Sequence, residues 1–340
     1  LVSPNMGIAV GMASSICSFN LGEVCDATIA LLRHPNTTVD TLMDIIKAPD
    51  FPGGAYIIYN REAMRRVFEA GRGPLRMRAR YSYDKDANCI DVTQIPYSTS
   101  IEAIIAKITD AMKSGKIKDI TDVRDEIDLS GFKLTIDLRR GTDPDKLMTK
   151  LYKLTPLEDS FDCNFNVLID GAPRQLGVAD ILREWIRFRM GCLRRELRFD
   201  LGKKKDKLHL LRGLGLILLD IDRAIAIIRQ TAKESDVVPN LMQAFHLDEI
   251  QAEYIAEIKL RHLNREYILK RTEEIEELED AIADLQDILK RPARINRIIM
   301  QELGDVAKKY GKPRRCEILY EVPAAEPAEP DEQVPDYPVH

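Results

Sequence analysis

LRMRARYSYD, residues 75–84, alternates without a slip. Successive side chains of a strand point to opposite faces, so Leu75, Met77, Ala79 and Tyr81 share one side and Arg76, Arg78 and Arg80 the other. The pattern predicts a sheet with one face in a core and one in water. Along an extended chain the arginines stand about 6.8 Å apart, close to the phosphate repeat of one nucleic-acid strand. Two readings of the row stand side by side: a set of phosphate contacts, or a solvated face with carboxylate partners.

Outward from this stretch, the flanks carry the same charge. Residues 61–80 hold seven arginines and two acids, Arg72 among the former. AYIIY (55–59), CIDVTQIPY (89–97), FKLTIDLR (132–139) and NFNVLIDG (164–171) read as further strands, with a tight DKDAN turn at 84–88. Helices are interleaved. Apolar spacing marks one in 22–34, Thr99-Ser100-Ile101-Glu102 reads as a capping box, and Asp143-Pro144 supplies an N-cap followed by proline at the first helical position. Residues 1–174 are therefore expected to form an α+β domain with a mixed sheet.

From Ala179 the period changes. Leu182, Ile186, Met190, Leu193 and Leu197, then Leu208 through Ile228, step by three and four, and VVPN (237–240) reads as the break. Ile275, Leu278, Ile282, Leu285 and Leu289 make a heptad seam among acids. The expected architecture over 175–320 is a long antiparallel coiled coil with a small helical knob at about 235–267. An ordinary long-helix bundle fits the period equally well. Ile255, Ile258, Leu260 and Leu263 are expected to leave an apolar tip, which suits self-association. Residues 321–340 hold six acids, no Lys or Arg, and many prolines and alanines, and are expected to be a disordered tail or linker.

That tail sets the net charge. The 340 residues sum to −5. Without the tail, 50 bases face 49 acids. The six cysteines form no CxxC pair and are read as reduced thiols in the cytoplasm, and the histidines have no metal spacing. No metal site is expected. The uncharged run 1–22 lacks a basic n-region and is broken by Pro4, Asn5, Gly7 and Gly11, so it is neither a signal peptide nor a membrane span. No phosphate loop, dinucleotide fingerprint or nucleophile elbow is present. The acids in DVRDEID (122–128) read as a loop with nearby lysines, though a self-contained metal enzyme built on them is one rival. A purely structural coiled-coil dimerisation protein is another. Lys203, Lys204, Lys205 and Lys207 read as a solvated helix face.

GIAVGMASSICSFNLGEV (7–24), APDFPGG (48–54), GRG (71–73) with the alternating arginines, QIPY (94–97), LYKLTPLEDSF (151–161) and AEYIAEIKLRHLNREY (252–267) occur in that order. Together they resemble the A subunit of bacterial type IIA DNA topoisomerases, DNA gyrase and topoisomerase IV. The resemblance implies a tower domain that holds double-stranded DNA, and a coiled-coil arm whose tip forms an exit gate with a second copy. It implies an isoleucine that wedges between base pairs. We assign that role to Ile16, beside Ser15, and expect Ile8, Val10 and Met12 in the core. Arg72, Arg76, Arg78 and Arg80 would hold the flanking DNA. The family's nucleophilic tyrosine follows an arginine upstream of these motifs. Arg80-Tyr81 imitates that pair too late in the order, so Tyr81 is read as a core residue and no catalytic residue is expected here. ATP and Mg²⁺ would belong to a partner B subunit, so no cofactor is expected in this chain, and the chain reads as a fragment inactive by itself.

Overall fold

The computed structural model describes residues 1–127, 131–259 and 264–320. They form two compact units, Leu1–Ile186 together with residues from Glu302 on, and Arg187–Gln301. The expected boundaries at 174 and 320 differ from these. Residues after 302 return to the first unit because Cys316 is buried in its core and a final strand joins its sheet.

The first unit contains two larger sheets. One has six strands: β1 (Asn5–Ala9), β2 (Met12–Ile16), β3 (Tyr56–Ile58), β4 (Arg72–Arg78), β9 (Glu158–Asn164) and β12 (Glu317–Leu319), in the order β1-β2-β9-β4-β3-β12. All pairs are antiparallel except β12 with β3, so the sheet is mixed. The other has four antiparallel strands, β5 (Arg80–Asp84), β6 (Cys89–Gln94), β7 (Ile120–Asp125) and β8 (Leu134–Leu138), in the order β5-β6-β8-β7. A small ribbon of β10 (Asn166–Ile169) and β11 (Ala172–Gln175) stands apart. The alternating stretch thus serves two sheets, with buried Ala79 at the crossing.

Each larger sheet is covered on one face. Helices α1 (Leu21–Arg33), α2 (Val39–Ile45) and α3 (Arg61–Ala70) share a core with the six-stranded sheet, in which Leu31, Leu42, Met64 and Phe68 join Ile57, Leu75, Met77 and Phe161. Helices α4 (Ile101–Lys113) and α5 (Pro144–Leu154) cover the four-stranded one, joining Ile104, Ile108, Leu147 and Leu151 to Ile90, Val92, Leu134 and Ile136. The caps are those the sequence offers. Asn20, Asn60, Ser100 and Asp143 each accept a backbone N–H of the first turn. Ser100, rather than Thr99, is the N-cap of α4. Gly71 ends α3 in the left-handed conformation (φ 67°), where a Cβ would lie 2.1 Å from the Leu176 carbonyl oxygen. Only glycine fits there, and it fixes where β4 begins.

Helix α6 (Val178–Leu218) is 41 residues long and continues into the second unit. It ends ten residues sooner than the spacing predicts, because Asp220 leaves helical geometry (φ −143°, ψ 60°) and opens α7 (Ile221–Gln230). VVPN breaks nothing. It begins α8 (Val237–Phe245), with Pro239 in the first turn, where a missing N–H is harmless. Helix α9 (Glu249–Ala256) has a full capping box from Asp248 and Gln251. Two clusters lie among the described residues of the unit. Leu208, Leu211 and Leu214 of α6 meet Leu278 and Ile282 of α10 (Arg265–Lys290), and a second core joins Ile217, Ala224, Leu241, Leu247, Ala252 and Ile255. Helix α11 (Pro292–Tyr310) leads back to the first unit.

Candidate nucleic-acid interface

Strand register decides which side chains share the uncovered face of the six-stranded sheet. Directly paired residues lie on the same face. Arg78 pairs with Tyr56 and Glu158, Arg72 pairs with Asn164, and Asn164 pairs with Ser15. Ser15 lies two residues from Ala13, the partner of Ile8. One open face therefore carries Met6, Ile8, Ala13 and Ser15, then Asn164, Asp162 and Glu158, then Arg72, Arg76 and Arg78, then Tyr56 and Glu317. The opposite face carries Leu75, Met77, Phe161 and Cys163, which are core. Ile16, directly across from Asn5, belongs to that core face.

The β1–β2 hairpin projects beyond the end of the sheet. Only Ser15 of its inner strand, β2, pairs with β9. Its turn is Val10-Gly11, with Gly11 at φ +79°, a conformation that glycine adopts without strain. The base is pinned by side chains: Asn164 and Asn166 both donate to the Ala13 carbonyl (2.9 and 2.5 Å), and Ser14 Oγ donates to the Asn166 carbonyl at 3.0 Å. Ile8 is 94% exposed, Val10 is fully exposed, and Met6 and Met12 are exposed as well. This corrects the expectation that Ile8, Val10 and Met12 are core. It corrects Ile16 too, which is half-buried and packed on the core while Ile8 stands in water on the other face. Pleating makes the two isoleucines mutually exclusive candidates.

The arginine row is partly compensated. Arg76 and Arg78 both bond Glu158, whose side chain is only 7% exposed. Arg78 is further held over the Tyr152 ring at 4.5 Å. Arg80 lies in the neighbouring sheet, 3.7 Å from Glu317. Arg72 is exposed with no ion pair among the described residues. Arg76 and Arg78 thus share one carboxylate, and Arg72, level with Ser15 across the sheet, is the arginine of the row nearest the hairpin. Arg61 and Arg65, on α3, are instead tied to Asp40.

Tyr81 is half-buried, and its hydroxyl donates to Asp145 at 2.7 Å. Burial first, then that carboxylate, pushes the phenol well above its ordinary range. A nucleophilic phenol needs the reverse. The acids of 122–125 lie on strand β7, not in a loop. Arg124 bonds both Asp137 and Glu126, and Lys133 bonds Asp91 and Glu126. Among the described residues no group of three or more His, Cys, Asp or Glu could hold a metal ion. All six cysteines are free.

In the second unit Ile255 is 6% exposed and Ile258 half-buried, both spent on the unit's own packing. The capped α9 turns them inward, which corrects the expectation that they form an exposed tip. Leu260 and Leu263 lie outside the described residues. The exposed aliphatics among the described residues of this unit are Leu216, Leu219, Ile228, Ile250 and Leu269. Of the lysine cluster, Lys207 pairs with Glu274 and Lys203 lies over the Phe199 ring. No described helix is long and apolar enough to cross a membrane.

The family described as the A subunit of DNA gyrase/topoisomerase IV matches residues 1–304. The A subunit of DNA gyrase from Borrelia hermsii is 37% identical over 324 residues, 94% of this chain and 40% of the relative. Its counterpart from Synechocystis is 38% identical over 328 residues, 94% of this chain and 38% of the relative. The A subunit of DNA topoisomerase 4 from Escherichia coli is 38% identical over 318 residues, 93% of this chain and 42% of the relative. The chain thus spans about 40% of the length of these curated relatives. With nearly the whole chain matched, it belongs to the family of DNA gyrase and topoisomerase IV A subunits.

Proposed function

We propose that the open face of the six-stranded sheet is the platform on which a type II topoisomerase A subunit bends duplex DNA, and that Ile8 is its wedge. The observation that carries this is the shared face of Ile8, Arg72, Arg76 and Arg78. Leaving a whole isoleucine in water forfeits roughly 1.5–3 kcal/mol of burial. Entry between two base pairs recovers part of it. Unstacking costs a few kcal/mol, offset by the phosphate contacts that a bent duplex makes along the arginines. The hairpin turn is small enough to approach stacked bases, and its pinned base holds it upright.

The second unit is the arm that carries the exit gate. Its two long helices form the antiparallel coiled coil, and a second copy meets its apolar end, to which Leu216, Leu219 and Ile250 contribute. In the assembled enzyme a B subunit supplies ATP hydrolysis and Mg²⁺, and the complete A subunit supplies the tyrosine for transient phosphotyrosyl linkage. This chain holds and releases duplexes and forms no covalent link of its own. Purified, it should relax no supercoiled plasmid.

Ile8→Ala and Ile16→Ala separate the wedge from the core. Fluorescence transfer across an end-labelled duplex reads bending, and thermal melting reads folding. Ile8→Ala should abolish most of the bend with an unchanged melting temperature. Ile16→Ala should lower the melting temperature and retain the bend. A bend insensitive to Ile8 would sink the assignment. For the gate, Leu219→Glu should shift the sedimenting species toward monomer, and an unaltered profile would remove Leu219 from it.

A further inference from the structure

At the corner of the six-stranded sheet diagonally opposite the hairpin lies a cleft of about 400 Å³. Lys47, Arg80, Arg314, Arg315, Glu317 and Tyr320 line it. Two of its cations are already matched. Arg314 bonds Glu23 at 2.8 Å and the carbonyls of Ala48 and Pro49, and Arg80 faces Glu317. Lys47 and Arg315 have no carboxylate partner among the described residues. Arg315 is nevertheless positioned. Its guanidinium donates to the Pro52 carbonyl at 2.5 Å, and its backbone N–H donates to Asp50 at 2.8 Å. The same Asp50 oxygen accepts the Cys316 N–H and the other accepts from the Asn20 side chain, so this carboxylate is already engaged.

From this we infer that Lys47 and Arg315 grip the phosphate backbone of the same duplex about one helical turn beyond the wedge. The inference rests on the reading of the sheet as a DNA platform. Five interstrand spacings separate β1 from β12, about 24 Å. Along the strands, the Ile8 level and the Arg78–Glu317 level are eight residues apart, about 26 Å. The diagonal is roughly 35 Å, which matches the ~34–36 Å turn of B-form DNA. A duplex crossing the open face on that diagonal presents the same side of its backbone at both corners. Arg76 and Arg78 lie between them. The ligand is a run of phosphodiesters, which two unmatched cations recognise without reading bases.

The test uses the whole chain and two bulge-bent duplexes with flanks of about 6 and about 14 base pairs, short of and beyond one turn. Binding is read by anisotropy across a salt series. Lys47→Glu/Arg315→Glu should weaken the long-flank duplex about tenfold or more and lower its salt slope by about 2, while the short-flank duplex is unaffected. Lys47→Gln/Arg315→Gln keeps a donor for Pro52 and should give the same pattern more weakly. Equal losses on both duplexes, or none on the long one, overturn the inference. So does strong competition by inorganic phosphate at matched ionic strength, which would give the cleft to a free anion. Wild-type chain that binds neither duplex defeats the DNA-platform reading itself.

Discussion

The two larger sheets of the first unit are built alike and differ in how their open faces settle charge. Each buries one face under helices and turns a polar face away from that core, the six-stranded one enclosed only at its Arg78–Glu158 end. On the four-stranded sheet every prominent cation is surrounded. Arg124 has Asp137 and Glu126, Lys133 has Asp91 and Glu126, and Thr135 donates to Asp91 and Glu126 as well. On the six-stranded sheet Arg76 and Arg78 share the single carboxylate of Glu158, and Arg72 has no ion pair among the described residues. Alternation in sequence makes both faces polar. What differs is the pairing, and under the proposed function the arginines without a carboxylate of their own are the ones left for phosphate.

Charge reversal puts the greatest strain on that contrast. Arg76→Glu/Arg78→Glu should weaken duplex binding on the order of a hundredfold at low salt and flatten its salt dependence. Arg124→Glu, on the other sheet, should leave binding unchanged. Similar losses from both variants would mean that the faces do not differ in function, and that charge acts only through the net field of the molecule.

Removing the shared carboxylate sharpens the same point from the opposite side. Glu158→Gln frees two guanidinium groups toward the open face and should tighten duplex binding several-fold. It should also lower stability, because Arg78 is largely enclosed and loses its counter-charge, a loss typically of about 1–3 kcal/mol for a hydrogen bond to a charged group. Tighter binding together with a lower melting temperature is the signature to look for. A variant that binds no better would show that Glu158 orients the arginines for phosphate rather than withholding them.

Much of this architecture is legible in the amino-acid sequence. Strand-like runs place β4, β5, β6 and β8, and the 99–102 capping box and Asp143-Pro144 place the starts of α4 and α5 to within a residue. The proposed wedge is not legible, for a physical reason. Ile8 and Ile16 are the same residue type in the same uncharged run, and an apolar strand carries no local mark of whether it enters a core or leaves one. Parity relative to a partner strand decides it, and the partner Asn164 lies about 150 residues downstream. The corner cleft is hidden in the same way. Arg315 and Lys47 meet because β12 pairs with β3 across some 260 residues of chain. Ile255 shows the converse error, since an apolar helix face reads as a sticky tip until the α8–α9 pair that covers it is known.

The smallest effect concerns pH and belongs to the four-stranded sheet. The Lys133 ammonium first, and the Thr135 hydroxyl second, hold the Glu126 carboxyl below its usual value. A carboxyl whose native value is lowered contributes stability above the unfolded-chain value. That contribution fades as pH falls through the lowered native one. Lys133→Met removes the main cause. The melting temperatures of wild type and variant should therefore differ at neutral pH and converge in acid, once the carboxyl is protonated in both states. Because the pair is exposed, the gap should be small and should shrink in high salt. A gap that persists unchanged in acid would mean that the lysine stem, packed along the sheet, matters more than its charge. The matched charges of this face would then be incidental to its stability, and the contrast with the arginine face would rest on function alone.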